Sequence, residues 1–271
     1  MKKKFAFLAA ALFSSSAIAA DMSAKAPSTA TKAAHERVLE RLPFENTEDF
    51  KLATRGQLAK PGALVIKDAT SQVVWDMTNL EYLDGDRPDT VNPSLWRQAR
   101  LNAIYGLFEV TEGIYQVRGY DLANVTFIRG DTGWIVVDPL TATETMNAAM
   151  KLVDSHFGKL PVKAILATHS HADHFAGIRA LADEDDLTSG RIRFVAPEHF
   201  VKEVTSENVI AGNAMGRRAG FMFGNLLPRT PQGAIDSGLG KGVAFGTITL
   251  LTPTDDITAT GEKLIDRKSV V

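Results

Sequence analysis

Three of the six histidines in this 271-residue chain fall within Thr168-His169-Ser170-His171-Ala172-Asp173-His174, and imidazole and carboxylate are ligand types that zinc accepts. His169 and His171 stand two residues apart, so an extended backbone projects both rings to one side, where they reach one ion. Asp173 and His174 follow as the chain turns and offer a second pair of ligands to a second ion nearby. Water at an open position of such a site has its pKa lowered to about 7, which makes hydroxide available at neutral pH. The spacing therefore points to metal-dependent hydrolysis. Three imidazoles and a carboxylate packed at a strand end would leave several polar groups desolvated without partners unless something binds them. The chain has no cysteine, which excludes disulfides, thiolate catalysis and Cys-rich zinc sites. The remaining histidines, His35, His156 and His199, stand alone and are assigned structural or surface roles. His156 sits near a helix end that favours cations, and His199 follows Pro197-Glu198 at a helix start.

The elements that must position this cluster lie on both sides of it. Val162 to Ala167 is a short apolar run, as in a buried strand, and leads directly to Thr168. Upstream, Ile114 to Arg118, Val125 to Arg129 and Trp134 to Asp138 alternate as strands, the last two joined by Gly130-Asp131-Thr132-Gly133, and together predict an antiparallel meander. Thr141 and Glu144 form a candidate capping box for a helix whose core face carries Met146, Ala149, Met150, Val153 and Phe157. Beyond the cluster, Phe175 to Leu181 is expected as a helix and Arg191 to Ala196 as a strand. Earlier in the chain, Ala33 to Arg41 is expected as a helix. Short strands are expected around Ala63 to Ile66 and Val73 to Trp75, and a further helix over Ser94 to Tyr105, with Asn92 as cap and Pro93 in its first turn.

The chain starts with Lys2 to Lys4, an apolar Phe5 to Phe13 and a small-residue pattern at Ala17-Ile18-Ala19. This order predicts a secretory signal peptide over residues 1–19 and a periplasmic or secreted protein. Its apolar core is shorter than the ~20 residues that span a bilayer, so no stable membrane insertion is expected. Asp21 to Lys32 reads as a flexible lead-in. A composition of 45% hydrophobic and 23% charged residues, with formal net charge −2, describes a globular protein without the clustered cations that nucleic acid requires.

Thr168 to His174 resembles the His-x-His-x-Asp-His motif of the metallo-β-lactamase superfamily. Within that superfamily, Val91 to Gln98, Tyr115 to Gly119, Glu207-Asn208-Val209, Ala211 to Ala219 and Gly238-Leu239-Gly240 look like linear primary alkyl sulfatases. The resemblance covers most of the chain after about residue 35. It implies an α/β (α+β) fold, the αββα sandwich, with residues 20–107 as a family-specific extension and 108–271 as the N-terminal part of the sandwich, incomplete at Val271. It implies two zinc ions, one held by His169 and His171 and the other by Asp173 and His174, with Asp138 supporting the metal loop from behind. The implied reaction is hydrolysis of primary alkyl sulfates to alcohol and sulfate by metal-activated water. A homodimer is expected of full-length members of the family and not of this segment. Further glutamate and histidine ligands are expected downstream, so four ligands shared by two ions imply weak metal binding by this segment alone. An uncovered sheet also predicts poor solubility or disorder around Leu226 to Thr260. No sulfate-binding residue is assigned; Arg217 and Arg218 could meet an anion, but paired arginines on a helix are as often surface residues. The motif is equally compatible with an arylsulfatase, lactonase or thioesterase of the same fold, or with a non-catalytic metal-binding remnant.

Overall fold

The computed structural model describes residues 25–270, and the export segment expected over residues 1–19 lies outside them. Helix α1 (Thr29–Arg41) is capped by Ser28, whose hydroxyl accepts from Thr31 N. It therefore begins four residues before the expected Ala33 and takes up the end of the lead-in. Helix α2 (Glu48–Thr54) and strand β1 (Gln57–Ala59) follow, then a separate antiparallel ribbon of β2 (Val65–Lys67) and β3 (Val73–Asp76). Helix α3 (Pro93–Asn102) starts as its sequence dictates, with proline in the first turn and the Asn92 side chain accepting from Ser94 N.

Strands β4 (Gly106–Thr111), β5 (Ile114–Arg118), β6 (Val125–Arg129) and β7 (Trp134–Val137) run as an antiparallel meander. The connections then lengthen and the pairing changes. Helix α4 (Thr143–Phe157) carries the chain back so that β8 (Val162–Leu166) pairs parallel to β7, as a long crossover requires. Helix α5 (Glu184–Thr188) precedes β9 (Arg193–Pro197), which pairs parallel to β8. Helices α6 (Phe200–Thr205) and α7 (Gly212–Phe223) precede β10 (Asp255–Ile257), parallel to β9. The result is one eight-stranded sheet in the order β1-β4-β5-β6-β7-β8-β9-β10, with a further ribbon of β11 (Lys263–Ile265) and β12 (Lys268–Val270).

Alternation along β7 divides the core between the two faces of the sheet. Trp134 and Val136 pack with Met146, Ala149 and Val153 of α4, whereas Ile135 packs with Ala164, Val195 and Ile265 of β11. Because both faces are covered, β7 to β9 are apolar almost throughout.

Two local expectations are corrected. Thr141 and Glu144 do not form a capping box: the N-cap is Ala142, without a side-chain bond. The Thr141 hydroxyl donates instead to buried Asp121, and Glu144 accepts from Thr247 N and Oγ1. Nor is Phe175 to Leu181 a continuous helix, since only 3-10 turns at Ala172–His174 and Ile178–Ala180 form there. The Gly177 N–H, which would have closed a helical turn, donates to Leu140 O at 2.9 Å. A β-carbon at this glycine would stand 2.2 Å from Pro139 O, so the close approach requires glycine. Between α7 and β10 the chain forms no helix or strand, and it is tied to the body through Thr247, Thr249 and Ala244.

Candidate metal centre

Three parallel strands end side by side at one edge of the sheet, the position at which open α/β sheets place their ligands. Asp138 follows β7, Thr168 to His174 follow β8, and Glu198-His199 close β9. The ladder runs on past the strand ends, with Asp138 N donating to Leu166 O (2.8 Å) and Ala167 N to Val195 O (3.0 Å). Asp138 and Leu140 then take left-handed φ values of 56° and 58°. Aspartate tolerates this conformation and leucine adopts it at a cost, so strain is held next to the cluster.

Asp138 is the anchor of the cluster. Its Oδ1 accepts from Thr168 N at 2.8 Å, and its Oδ2 accepts from Thr168 Oγ1 at 2.9 Å and from His174 Nδ1 at 2.8 Å. Since the Thr168 hydroxyl has one proton and gives it to Asp138, the contact of 3.0 Å to His169 Nδ1 is one in which the imidazole donates. Both histidines thus have Nδ1 engaged by partners behind them, which turns their Nε2 atoms inward.

Inward, two pairs of donor atoms meet. His169 Nε2 is 3.0 Å from His171 Nδ1, and His174 Nε2 is 3.2 Å from Asp173 Oδ2. The rings of His169 and His174 stand 4.1 Å apart, so the pairs are neighbours. The chain is bent rather than extended from Thr168 to His171, yet the two rings still converge. A neutral His174 would point a lone pair at a carboxylate oxygen, so this contact calls for a cation between the two atoms. With a proton there, burial of the imidazole opposes its charge, but hydrogen bonds to Asp138 and Asp173 outweigh it and raise the His174 pKa to about 9. Burial likewise works against ionised Asp173, and His174 overrides it and draws that carboxyl below its usual range. His169 is lowered by burial and by the positive charge of His174 and His171.

Tetrahedral zinc bonds of roughly 2.0–2.2 Å set neighbouring donors about 3.3–3.6 Å apart, so each pair fits around an ion after opening by a few tenths of an ångström. Among the described residues, however, no three His, Asp or Glu side chains close around one ion in their present positions. Each pair supplies two of the three or four ligands a firm site needs.

The other candidates lie elsewhere. His35 Nδ1 is 3.0 Å from Asp89 O, and the His156 ring meets Phe157 edge-on in the last turn of α4. His199 occupies the N-cap of α6 at φ 65°. Arg217 and Arg218 are exposed on α7. One residue passed over as a site candidate stands at the cluster: Glu207, with Oε1 3.4 Å from His171 Nε2. Its presence in a segment that carries the family resemblance was its only signal.

Residues 118–260 match the family model of the metallo-beta-lactamase superfamily. The chain is 46% identical over 257 residues to a linear primary-alkylsulfatase of Pseudomonas sp., covering 94% of this chain and 38% of that protein. It is also 46% identical over 251 residues to an (R)-specific secondary-alkylsulfatase of Pseudomonas sp., covering 92% and 38%. The solved structure of a stereoselective inverting sec-alkylsulfatase of Pseudomonas sp. superposes with a TM-score of 0.87 at 44% identity, covering 91% of this chain and 39% of that one. The chain thus spans about 38% of the length of these curated relatives. The family model alone accounts for more than half of the sequence, and its match includes the whole histidine cluster: the chain belongs to the metallo-β-lactamase superfamily.

Proposed function

We propose that this chain provides the metal-binding face of an exported, zinc-dependent hydrolase that converts primary alkyl sulfates and water to alcohols and sulfate. The observation that carries the reading is the inward orientation of donor atoms from His169, His171, Asp173 and His174, with Thr168 and Asp138 fixing two of the rings from behind. His169 and His171 would hold one ion, and Asp173 and His174 the other. Bound zinc supplies Lewis acidity and water activation at neutral pH. The chain's own residues turn the donor atoms inward and exclude bulk water from the partly buried His174 and Asp173. Sulfate ester hydrolysis is supported by the alkylsulfatase relatives. The two are equally similar to this chain, so the preference for a primary over a secondary ester rests on the motif resemblance. Export rests on the basic, apolar and small-residue order of the first nineteen residues.

The test is to load the full chain with zinc, count the ions bound, and follow sulfate release from dodecyl sulfate, 2-octyl sulfate, phenyl sulfate and a lactone. With two protein ligands per ion, the expected outcome is weak binding that approaches two ions per chain only in excess zinc, with dodecyl sulfate the preferred substrate. In 18O-labelled water, attack at carbon puts the label in the alcohol and attack at sulfur puts it in the sulfate. Turnover of the lactone or phenyl sulfate without dodecyl sulfate would replace the substrate assignment, and binding of less than one ion would remove the metal centre.

A further inference from the structure

Two of the three clustered imidazoles have their outward nitrogen bound to an oxygen acceptor, Thr168 Oγ1 behind His169 and Asp138 Oδ2 behind His174. His171 faces the opposite way. It turns Nδ1 towards His169 Nε2, which makes Nε2 its outer nitrogen, and the acidic oxygen beside that nitrogen is Glu207 Oε1 at 3.4 Å. We infer that Glu207 is the positioning residue of His171: it accepts the Nε2 proton and so keeps the Nδ1 lone pair available to a metal ion. This inference rests on the proposed metal centre and assigns a role that the histidine motif does not contain.

The backbone supplies an independent reason to single out Glu207. Helix α6 does not run straight into α7 but passes through a single π turn over Ser206–Ile210, closed by Ala211 N donating to Ser206 O at 2.9 Å. Such turns add a residue to the helical circumference, which re-aims the neighbouring side chains, and they are frequent at functional sites. Glu207 is the second residue of this turn. Its side chain is 23% exposed, whereas Val209 and Ile210 in the same turn are 74% and 80% exposed. The irregularity thus coincides with a carboxylate turned to the cluster while the apolar residues of the turn face outward.

The chemistry is that of a carboxylate–histidine–metal relay, in which the outer acceptor sets the tautomer, fixes the ring plane and raises the basicity of the inner nitrogen. Without an ion, the His171 proton has two competing acceptors, His169 Nε2 at 3.0 Å and Glu207 Oε1 at 3.4 Å. With His169 and His171 holding a cation, the proton of His171 would sit on Nε2, where Glu207 would accept it.

The test measures zinc affinity of the full chain by competition with a chromogenic chelator, alongside histidine tautomers by 15N NMR. Glu207→Ala is expected to weaken binding by about 10–100-fold and to move His171 towards the Nδ1-protonated form. Glu207→Gln, whose amide oxygen still accepts, should recover part of the loss. Glu203→Gln, an exposed change of the same charge one turn earlier on α6, should leave affinity within twofold. Thermal melts without metal, matched between Glu207→Gln and the unaltered chain, separate this effect from misfolding. If Glu207→Ala and Glu207→Gln bind zinc as the unaltered chain does, the assignment of Glu207 is wrong and the metal centre stands. If the unaltered chain itself binds no zinc, both fall.

Discussion

At the scale of single residues, the cluster is governed by which atom of each side chain is already engaged. Asp138 accepts from Thr168 N, Thr168 Oγ1 and His174 Nδ1, and an Asn side chain has one oxygen to replace two. Asp138→Asn should therefore weaken zinc binding by about 10–100-fold and cost about 1–3 kcal/mol of stability, because a partly buried donor is left without its acceptor. Chelator competition and denaturant unfolding of the metal-free chain check the two parts separately. A variant with unaltered zinc affinity would remove Asp138 from the metal site. The four proposed ligands stand out in the sequence because they fall within six residues, His169 to His174, and their types are unusual together. Glu207 does not, because it lies 36 residues beyond His171 and reaches it through a π turn that no local residue pattern announces.

Among the elements, those fixed by neighbours in the chain were the readable ones. The meander of β5 to β7 follows from alternation and a glycine-bounded turn, and α3 starts where Asn92 and Pro93 place it. The segment after His174 has helical composition but is not a helix, since its Gly177 N–H is taken by Leu140 O from a loop 37 residues earlier. The short edge strand β10 depends on a similar distant tie. Asp255 receives the Arg193 guanidinium of β9 and is also met by Lys263 Nζ at 3.3 Å and Thr254 Oγ1 at 2.9 Å. The Arg193 hydrogen bond is the main reason that this carboxyl is held far below the usual carboxylate range. A pKa depressed by folding contributes stability that is present above the unfolded value of about 3.9 and lost as pH falls through the folded value. Screening by solvent at this partly exposed pair keeps the effect small: Asp255→Asn should lower stability by about 1 kcal/mol at pH 7, and the gap from the unaltered chain should narrow below about pH 4. Denaturant midpoints at pH 7 and pH 3 give the comparison; an equal gap at both would show that the ion pair is not what holds β10.

Across the whole molecule, a buried acid outside the histidine cluster braces the turn that leaves β7. Asp121 lies in the β5–β6 connection. Its Oδ1 accepts from Leu122 N, Thr141 Oγ1 and Ala244 N, and its Oδ2 from Thr141 N and Thr145 Oγ1, at 2.8–3.1 Å. Burial pushes its pKa up, and the hydrogen bonds pull it back towards the ionised form. One side chain thus joins the meander, the turn leaving β7, the start of α4 and the irregular stretch before β10. The same turn contains Leu140, which receives the Gly177 N–H from beyond the histidines, so the segment that carries the histidines is tied to this turn. Partners up to 123 residues away explain why nothing around Tyr120-Asp121-Leu122 marks this role in the sequence. Asp121→Ala would leave three backbone N–H groups and the Thr141 hydroxyl without their acceptor, while the Thr145 hydroxyl keeps Ala142 O at 2.9 Å. With about 1–3 kcal/mol for each buried group left unpaired, and some relaxation, the loss should be on the order of 3 kcal/mol or more. Asp121→Asn, which keeps one accepting oxygen, should lose less. Zinc affinity should fall in the same order as stability, because the turn that backs Gly177 loosens with the loss of Asp121. A midpoint for Asp121→Ala within the error of the unaltered chain would show that these bonds are made equally well to water in the unfolded state and that the turn is held by packing alone.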